Sequence, residues 1–120
     1  MTIQSLINKV QEEKPNTFQT GKLIDYINEI EADVADQVNM DIPVYTSARD
    51  LETELIVPAP YDRLYVSYLK AMIDYANEEY ASYQLNQMQH VQDFTDFVNW
   101  LVRTGQNDRS LVPSRFKNVF

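Results

Sequence analysis

Residues 58–80 carry more large side chains at helical spacing than any other segment of the sequence. The segment opens with Pro-Ala-Pro, which ends whatever precedes it and allows a helix to begin, from about Tyr61 to Tyr80. Its large residues then recur in steps of three and four, as side chains along one side of a helix do. They are Leu64, Tyr65, Tyr68, Leu69, Met72, Tyr75, Ala76 and Tyr80. The pattern predicts the central helix of a small all-α domain.

Three other segments show the same periodicity. The first predicted helix spans about 3–13 with Thr2 as its N-cap, and the second spans about 21–39 with Thr20 as its cap. The last predicted helix spans about 84–103. Its predicted core face consists of Tyr83, Met88, Val91, Phe94, Val98, Leu101 and Val102, flanked by Phe97 and Trp100. Only two glycines occur in the chain, which argues against a turn-rich β fold.

Two connections allow more than one interpretation. Ser82 or Asn86 fits the cap of a break between the third and fourth helices, and a continuous kinked rod is the alternative. Residues 40–57 are the least regular part, and a connection of this length is often functional or mobile. Its second half, residues 51–57, has strand character, so a short extended piece or hairpin arm is one possibility. We therefore predict a small bundle of four main helices with a long irregular loop at about 40–57.

The chain is acidic, and its charged residues are unevenly distributed along the sequence. The net charge is −8, which argues against broad adhesion to phosphate backbones or anionic lipids. Between Asp25 and Glu54 nine acidic residues face a single basic one, Arg49. The balance reverses after Gly105. We therefore divide the chain into a helical domain, residues 1–105, and an extended tail, residues 106–120.

The tail does not have the composition of a disordered segment, because basic residues are interleaved with apolar ones. Arg and Phe are common interface anchors, so the tail is predicted to dock on a protein surface, and a solvated chain end is the alternative. The anchors are Arg109, Arg115, Phe116, Lys117 and Phe120.

No constellation typical of catalysis or metal binding is present. The chain has no cysteine, and its single histidine, His90, is expected at the surface rather than in a zinc site. Paired acids such as Glu29, Glu31 and Asp33 are expected on solvated polar faces, and no glycine-rich phosphate loop occurs. We predict no enzymatic activity, no cofactor and no metal. No signal peptide and no apolar run of membrane-spanning length is recognised.

The tyrosines cluster in and around the third predicted helix. A tyrosine-rich core seam and a subunit interface are both compatible with this cluster. Tyr65, Tyr68 and Tyr75 are predicted to lie in the core, and Tyr61 and Tyr80 nearer its edges.

Two blocks of sequence resemble a known family. One contains Thr2-Ile-Gln-Ser-Leu-Ile-Asn-Lys-Val, Lys14-Pro-Asn-Thr-Phe and Leu23-Ile-Asp-Tyr-Ile-Asn-Glu-Ile-Glu-Ala-Asp-Val. The other, more specific block runs from Glu54-Leu-Ile-Val-Pro-Ala-Pro-Tyr-Asp-Arg-Leu-Tyr to Ala76-Asn-Glu-Glu-Tyr and continues to Phe94-Thr-Asp-Phe. Together they are similar to the head–tail connector, or adaptor, proteins of long-tailed phages and prophages. The family often carries an Asn pair where this chain has Ser82-Tyr-Gln-Leu-Asn, and the tail beyond Gly105 is not matched.

The resemblance implies a structural virion protein at the head–tail junction, present in the host cytoplasm during assembly. Such subunits form a ring, expected to be twelve-fold here, beneath the portal protein and above a tail-side head-completion protein. DNA would pass through the ring without specific binding, and no membrane is involved. The expected interface residues are the tail anchors together with Tyr61 and Trp100. The expected channel-facing acids are Glu29, Asp33, Asp36, Glu52 and Glu54.

The acidic segment also permits a different function. A chain with this charge density could act as an acidic mimic of DNA that inhibits a DNA-handling enzyme. The basic tail and the modest total charge count against this alternative.

Overall fold

The structure, a computed structural model, describes residues 1–104, which form an all-α bundle. Its helices are α1 (Ile3–Glu13), α2 (Thr20–Gln37), α3 (Arg63–Ala76) and α4 (Tyr80–Thr104). Helix α3 contacts each of the other three, as expected of a central helix. The predicted fold class of a small four-helix bundle is therefore confirmed. The predicted tail, residues 106–120, lies outside the described residues.

The starts of the first two helices differ in how they are capped. The Thr2 side chain accepts a hydrogen bond from the Ser5 backbone N–H at 3.0 Å, which confirms Thr2 as the N-cap of α1. The predicted cap of α2 is wrong. Thr20 is the first residue inside that helix, and Gln19 precedes it without a side-chain capping bond.

Helices α2 and α3 end in the same way, with a residue in the left-handed region. Asn39 has φ 55° and Glu78 has φ 59°. In each case the residue that follows donates its backbone N–H to the carbonyl oxygen five residues earlier. Met40 donates to Ala35 at 3.1 Å, and Glu79 donates to Asp74 at 2.9 Å. These are Schellman-type ends, which satisfy carbonyls of the last turn.

The second of these motifs separates α3 from α4, so the continuous-rod alternative is wrong. Neither of the predicted caps performs that role. Ser82 and Asn86 both lie inside α4, and both donate hydrogen bonds to the Asp74 carboxylate, at 2.7 and 2.6 Å. Tyr80, assigned to the third helix from its spacing, begins α4 instead.

The long connection between α2 and α3 is part of the core. Tyr45, Leu55, Ile56 and Val57 are buried in it. Among the described residues this connection contains no strand, only an isolated antiparallel bridge between Thr2 and Glu54. The predicted strand character of residues 51–57 is thus limited to a single bridge.

Two polar side chains of α2, Asn28 and the buried Glu31, hold this connection in place. The Asn28 amide exchanges two hydrogen bonds with the Tyr45 backbone, at 2.8 and 3.1 Å. The fully buried Glu31 accepts from the Tyr65 hydroxyl at 2.5 Å and from the Ile56 N–H at 3.0 Å. The expectation that Glu31 lies on a solvated face is wrong, because the carboxylate is satisfied by donors inside the core.

The face that α4 buries differs from the predicted one. His90, Asp93, Phe97 and Leu101 are its buried residues. Three residues assigned to the core are largely exposed: Met88 at 69%, Val91 at 55% and Val102 at 71%. Tyr75 of α3, also assigned to the core, is 58% exposed. Within residues 1–104, no helix is both long and apolar enough to cross a membrane.

Candidate functional site

The contact between α3 and α4 contains two buried carboxylates, Asp93 and Asp74, that are held by hydrogen bonds and salt bridges. Asp93 accepts from Ser67 at 2.9 Å, from Gln89 at 2.8 Å and from Arg63 at 3.2 Å. This carboxylate therefore ties α4 to the first two turns of α3.

Asp74 is the second buried carboxylate of this contact, and it forms a salt bridge with Lys14 of the segment after α1. Burial raises the pKa of the Asp74 carboxyl, but bonds from Lys14, Ser82 and Asn86 outweigh burial and lower it below its usual value. Asp74 therefore stays ionised and ties three parts of the chain together.

His90 lies in the same contact, and its predicted surface location is wrong. It is only 8% exposed, with its ring edge-on to Tyr68 and tilted against Phe94. Its Nδ1 lies 3.0 Å from the Leu64 carbonyl oxygen, and since a carbonyl only accepts, Nδ1 carries the hydrogen. Burial lowers the pKa of His90, opposed by the Leu64 bond and by the charges of Asp93 and Asp33. The ring is thus a neutral packing element at neutral pH.

Three of the acids predicted to face a channel form one exposed row on α2. Glu29, Asp33 and Asp36 follow one another at helical spacing, and all three are exposed. Glu29 accepts a hydrogen bond from the Tyr68 hydroxyl at 2.8 Å. Among residues 1–104, no Lys or Arg nitrogen lies within 4 Å of Asp33 or Asp36.

The row has an electrostatic cost. Burial raises the pKa of the Asp33 carboxyl, and the charges of Asp36 and Glu29 raise it further, while His90 acts in the opposite direction. A cation placed beside Asp33 and Asp36 would relieve this repulsion.

The other two predicted channel-facing acids lie at a different place in the fold. Glu54 bridges to Thr2 at the start of α1 and forms an ion pair with the Met1 amino group at 3.0 Å. Glu52 is exposed in the same connection. The structure therefore groups the five acids into a row on α2 and a pair beside the start of α1.

A groove of about 370 Å³ runs beside the acidic row, between α2 and α4. One wall consists of Asp33, Asp36 and Gln37 of α2, and the other includes Gln87, Val91 and Phe94 of α4. One side of the groove is therefore acidic and the other largely apolar. The Gln87 Oε1 atom is buried and has no hydrogen-bond donor among the described residues.

Two of the predicted interface residues lie next to each other. Tyr61, just before α3, stacks on Trp100 of α4 with ring centroids 5.1 Å apart and planes at 25°. Both rings are half-buried, and the Tyr61 hydroxyl accepts from Arg103 at 3.4 Å. The remaining predicted interface residues, Arg109, Arg115, Phe116, Lys117 and Phe120, lie outside the described residues.

The groove does not follow from the sequence pattern, because the spacing of Val91 places it on the predicted core face of α4. A signal for Glu31 was present, since it stands four residues after Ile27 and three before Val34, within the apolar stripe of α2. In the described part of the chain, no cluster of three or more His, Cys, Asp or Glu side chains could hold a metal ion. No family model, no curated protein and no solved structure matches the chain.

Proposed function

We propose that the protein is a head–tail connector subunit of a long-tailed phage or prophage, which forms a ring beneath the portal and extends the DNA channel toward the tail. The observation that carries the proposal is the pair of sequence blocks that resemble this family. The resemblance extends over about residues 2–103 and so includes all four helices. Because α3 packs on the other three helices, the resemblance covers segments that fold together.

The acidic row of α2 supports a role in which the protein surrounds DNA without binding it. Three exposed carboxylates, Glu29, Asp33 and Asp36, would repel phosphates, the converse of the basic grooves that bind nucleic acid. A conduit lined by such rows lets DNA move without sticking.

A closed ring of identical subunits needs two different contact patches on each subunit. The exposed apolar side chains of the bundle could form these two contact patches. Tyr75 and Tyr80 lie near the α3–α4 turn, whereas Leu85 and Met88 lie further along α4. Apolar surface of this kind is typical of protein interfaces.

The test is co-purification with the portal protein encoded in the same genome. The full chain is expected to bind that portal, and a chain lacking residues 106–120 is expected to keep its helical circular dichroism but lose most binding. A control deletes only residues 118–120, leaving Arg109 and Arg115 in place, and should bind better than the longer deletion. Absence of binding by the full chain at tens of micromolar would contradict the proposal.

The acidic DNA mimic remains the second candidate, because Asp33 and Asp36 have no basic partner among the described residues. It predicts tight, salt-sensitive binding to a basic DNA-handling enzyme. Replacing Glu29, Asp33 and Asp36 by their amides should abolish such binding. If the triple variant binds every partner as the parent does, the mimic is excluded.

A further inference from the structure

The groove between α2 and α4 has the character of a binding site for a basic, apolar peptide segment. Its α2 wall presents Asp33 and Asp36 without a basic partner in the described chain, and its α4 wall presents Val91, 55% exposed, beside Phe94. The buried Gln87 Oε1 adds an acceptor that lacks a donor. Buried acceptors are nearly always satisfied, and an occupant that brings N–H or O–H groups would satisfy this one.

An apolar path leads from this groove to the end of α4. Val91, Phe94, Val98 and Val102 follow one another in steps of three and four, so they share one side of the helix. Val98 is half-buried, and Val102 is 71% exposed. The path ends beside Thr104, the last described residue, from which residues 105–120 continue.

The composition of residues 105–120 complements both walls. They contain three basic residues and one acid, and removing these from the whole-chain net charge of −8 leaves −10 on residues 1–104. They also carry Leu111, Val112, Phe116, Val119 and Phe120. A positive, apolar segment is therefore joined directly to an acidic body with a half-apolar groove.

The length of the segment allows it to return to the groove. From Thr104 back to Val91 is 13 residues of helix, or about 20 Å at 1.5 Å per residue. An extended chain covers about 3.3 Å per residue, so about six residues span that distance. Residues 105–110 would make the return, with Gly105 free to adopt the reversal. Residues 111–117 would then lie in the groove, and Arg115 and Lys117 would reach Asp33 and Asp36.

We propose that the groove between α2 and α4 binds the chain's own C-terminal segment, residues 105–120, within the same molecule. Arg115 and Lys117 pair with Asp33 and Asp36, and the apolar residues of the segment cover Val91 and Phe94. This contact does not depend on the assignment as a phage connector. Its consequence is that the segment must leave the groove before it can dock on another protein.

The absence of cysteine makes a direct distance test possible on the full chain. Asn118→Cys, carrying a nitroxide spin label, is to be studied by amide NMR of the ¹⁵N-labelled protein. Signals of residues 33–37 and 87–94 are expected to lose more than half their intensity relative to the ascorbate-reduced sample. The ascorbate-reduced sample of the same tube serves as the reference for every signal.

Two variants test the pairing. Arg115→Glu combined with Lys117→Glu changes only the segment itself, and is expected to restore at least half of the lost intensity. Asp33→Asn combined with Asp36→Asn should do the same, whereas Asp25→Asn, an exposed acid of α2 outside the groove, should not. If the Asp33→Asn, Asp36→Asn variant unfolds, as shown by lost signal dispersion, the Arg115→Glu, Lys117→Glu variant alone tests the pairing.

A mixture of untagged ¹⁵N protein with tagged unlabelled protein separates the possible occupants. Loss at residues 33–37 and 87–94 in the mixture, relative to the ascorbate-reduced mixture, would assign the groove to a second copy and overturn the proposal. So would the absence of any effect at residues 33–37 and 87–94, or an effect that the Arg115 and Lys117 substitutions leave intact.

Discussion

The buried carboxylate of Glu31 is the polar group on which the long α2–α3 connection most depends. Its two close donors are the Tyr65 hydroxyl at 2.5 Å and the Ile56 N–H at 3.0 Å. Tyr65 in turn accepts from the Val57 N–H at 3.1 Å. The pKa of Tyr65 is raised well above its usual value by burial and by the Glu31 charge, so the hydroxyl remains a donor.

Glu31→Gln keeps the shape of the side chain but replaces one acceptor oxygen by an NH₂ group that faces a donor. A buried donor left without a partner costs about 1–3 kcal/mol, and a bond to a charged acceptor contributes about 1.5–3 kcal/mol. We therefore expect the free energy of unfolding to fall by about 3 kcal/mol. For a chain of this length the unfolding entropy is about 0.25 kcal/mol/K, so Tm should fall by roughly 12 °C.

The assay is urea unfolding followed by circular dichroism, with hydrogen exchange of the Ile56 amide measured in parallel. Glu12→Gln, on the exposed side of α1, is the matched control and should change stability by no more than about 0.5 kcal/mol. In a double-mutant cycle with Tyr65→Phe, the two changes should be non-additive by about 1 kcal/mol or more. Equal stability of Glu31→Gln and the control, with unchanged Ile56 protection, would refute the account of the connection.

Three further predictions concern the helix ends and α4. Glu78→Gly should raise the free energy of unfolding by about 1 kcal/mol in thermal or urea melts, because a left-handed backbone conformation is costly for Glu. Asn39→Gly should change it by only about 0.3 kcal/mol, because Asn tolerates this conformation better. The NMR titration of His90 should give a pKa below 6.5. Because the folded-state pKa is lowered, the stability from the neutral ring is full above pH 6.5 and is lost as the pH falls through the folded pKa; a measured pKa above 6.5 contradicts this. Phe97→Ala should cost about 3–5 kcal/mol in urea unfolding and Val91→Ala less than about 1 kcal/mol; similar losses would contradict the observed face of α4.

The sequence predicted the helices well where apolar spacing and local stop signals coincide. The bounds of α1 follow from Thr2 before it and Lys14-Pro15 after it, and the central position of α3 follows from its many large side chains. The face of α4 could not be predicted in this way. Its contact with α3 includes Asp93 and His90. A pattern of apolar spacing places such polar residues on the exposed side, whereas hydrogen-bond partners on α3 allow them to be buried.

The candidate site shows the same limit. The acidic row of α2 is visible in the sequence as Glu29, Asp33 and Asp36 at helical spacing. The groove beside it is not, because it depends on Val91 being outside the core. Likewise, the separation of Glu54 from the row follows from its bridge to Thr2, a contact between residues far apart in the chain. Such long-range pairings carry no periodic signal.

The most direct test of the connector assignment is the mass of the particle formed with the portal protein of the same genome, measured by native mass spectrometry. We predict that portal rings gain a fixed number of copies of this 14.0 kDa chain. A twelve-fold ring would add roughly 170 kDa in one closed step, as expected of closed point-group symmetry. A portal particle whose mass is unchanged, or which gains a variable number of copies without a closed stoichiometry, would contradict it.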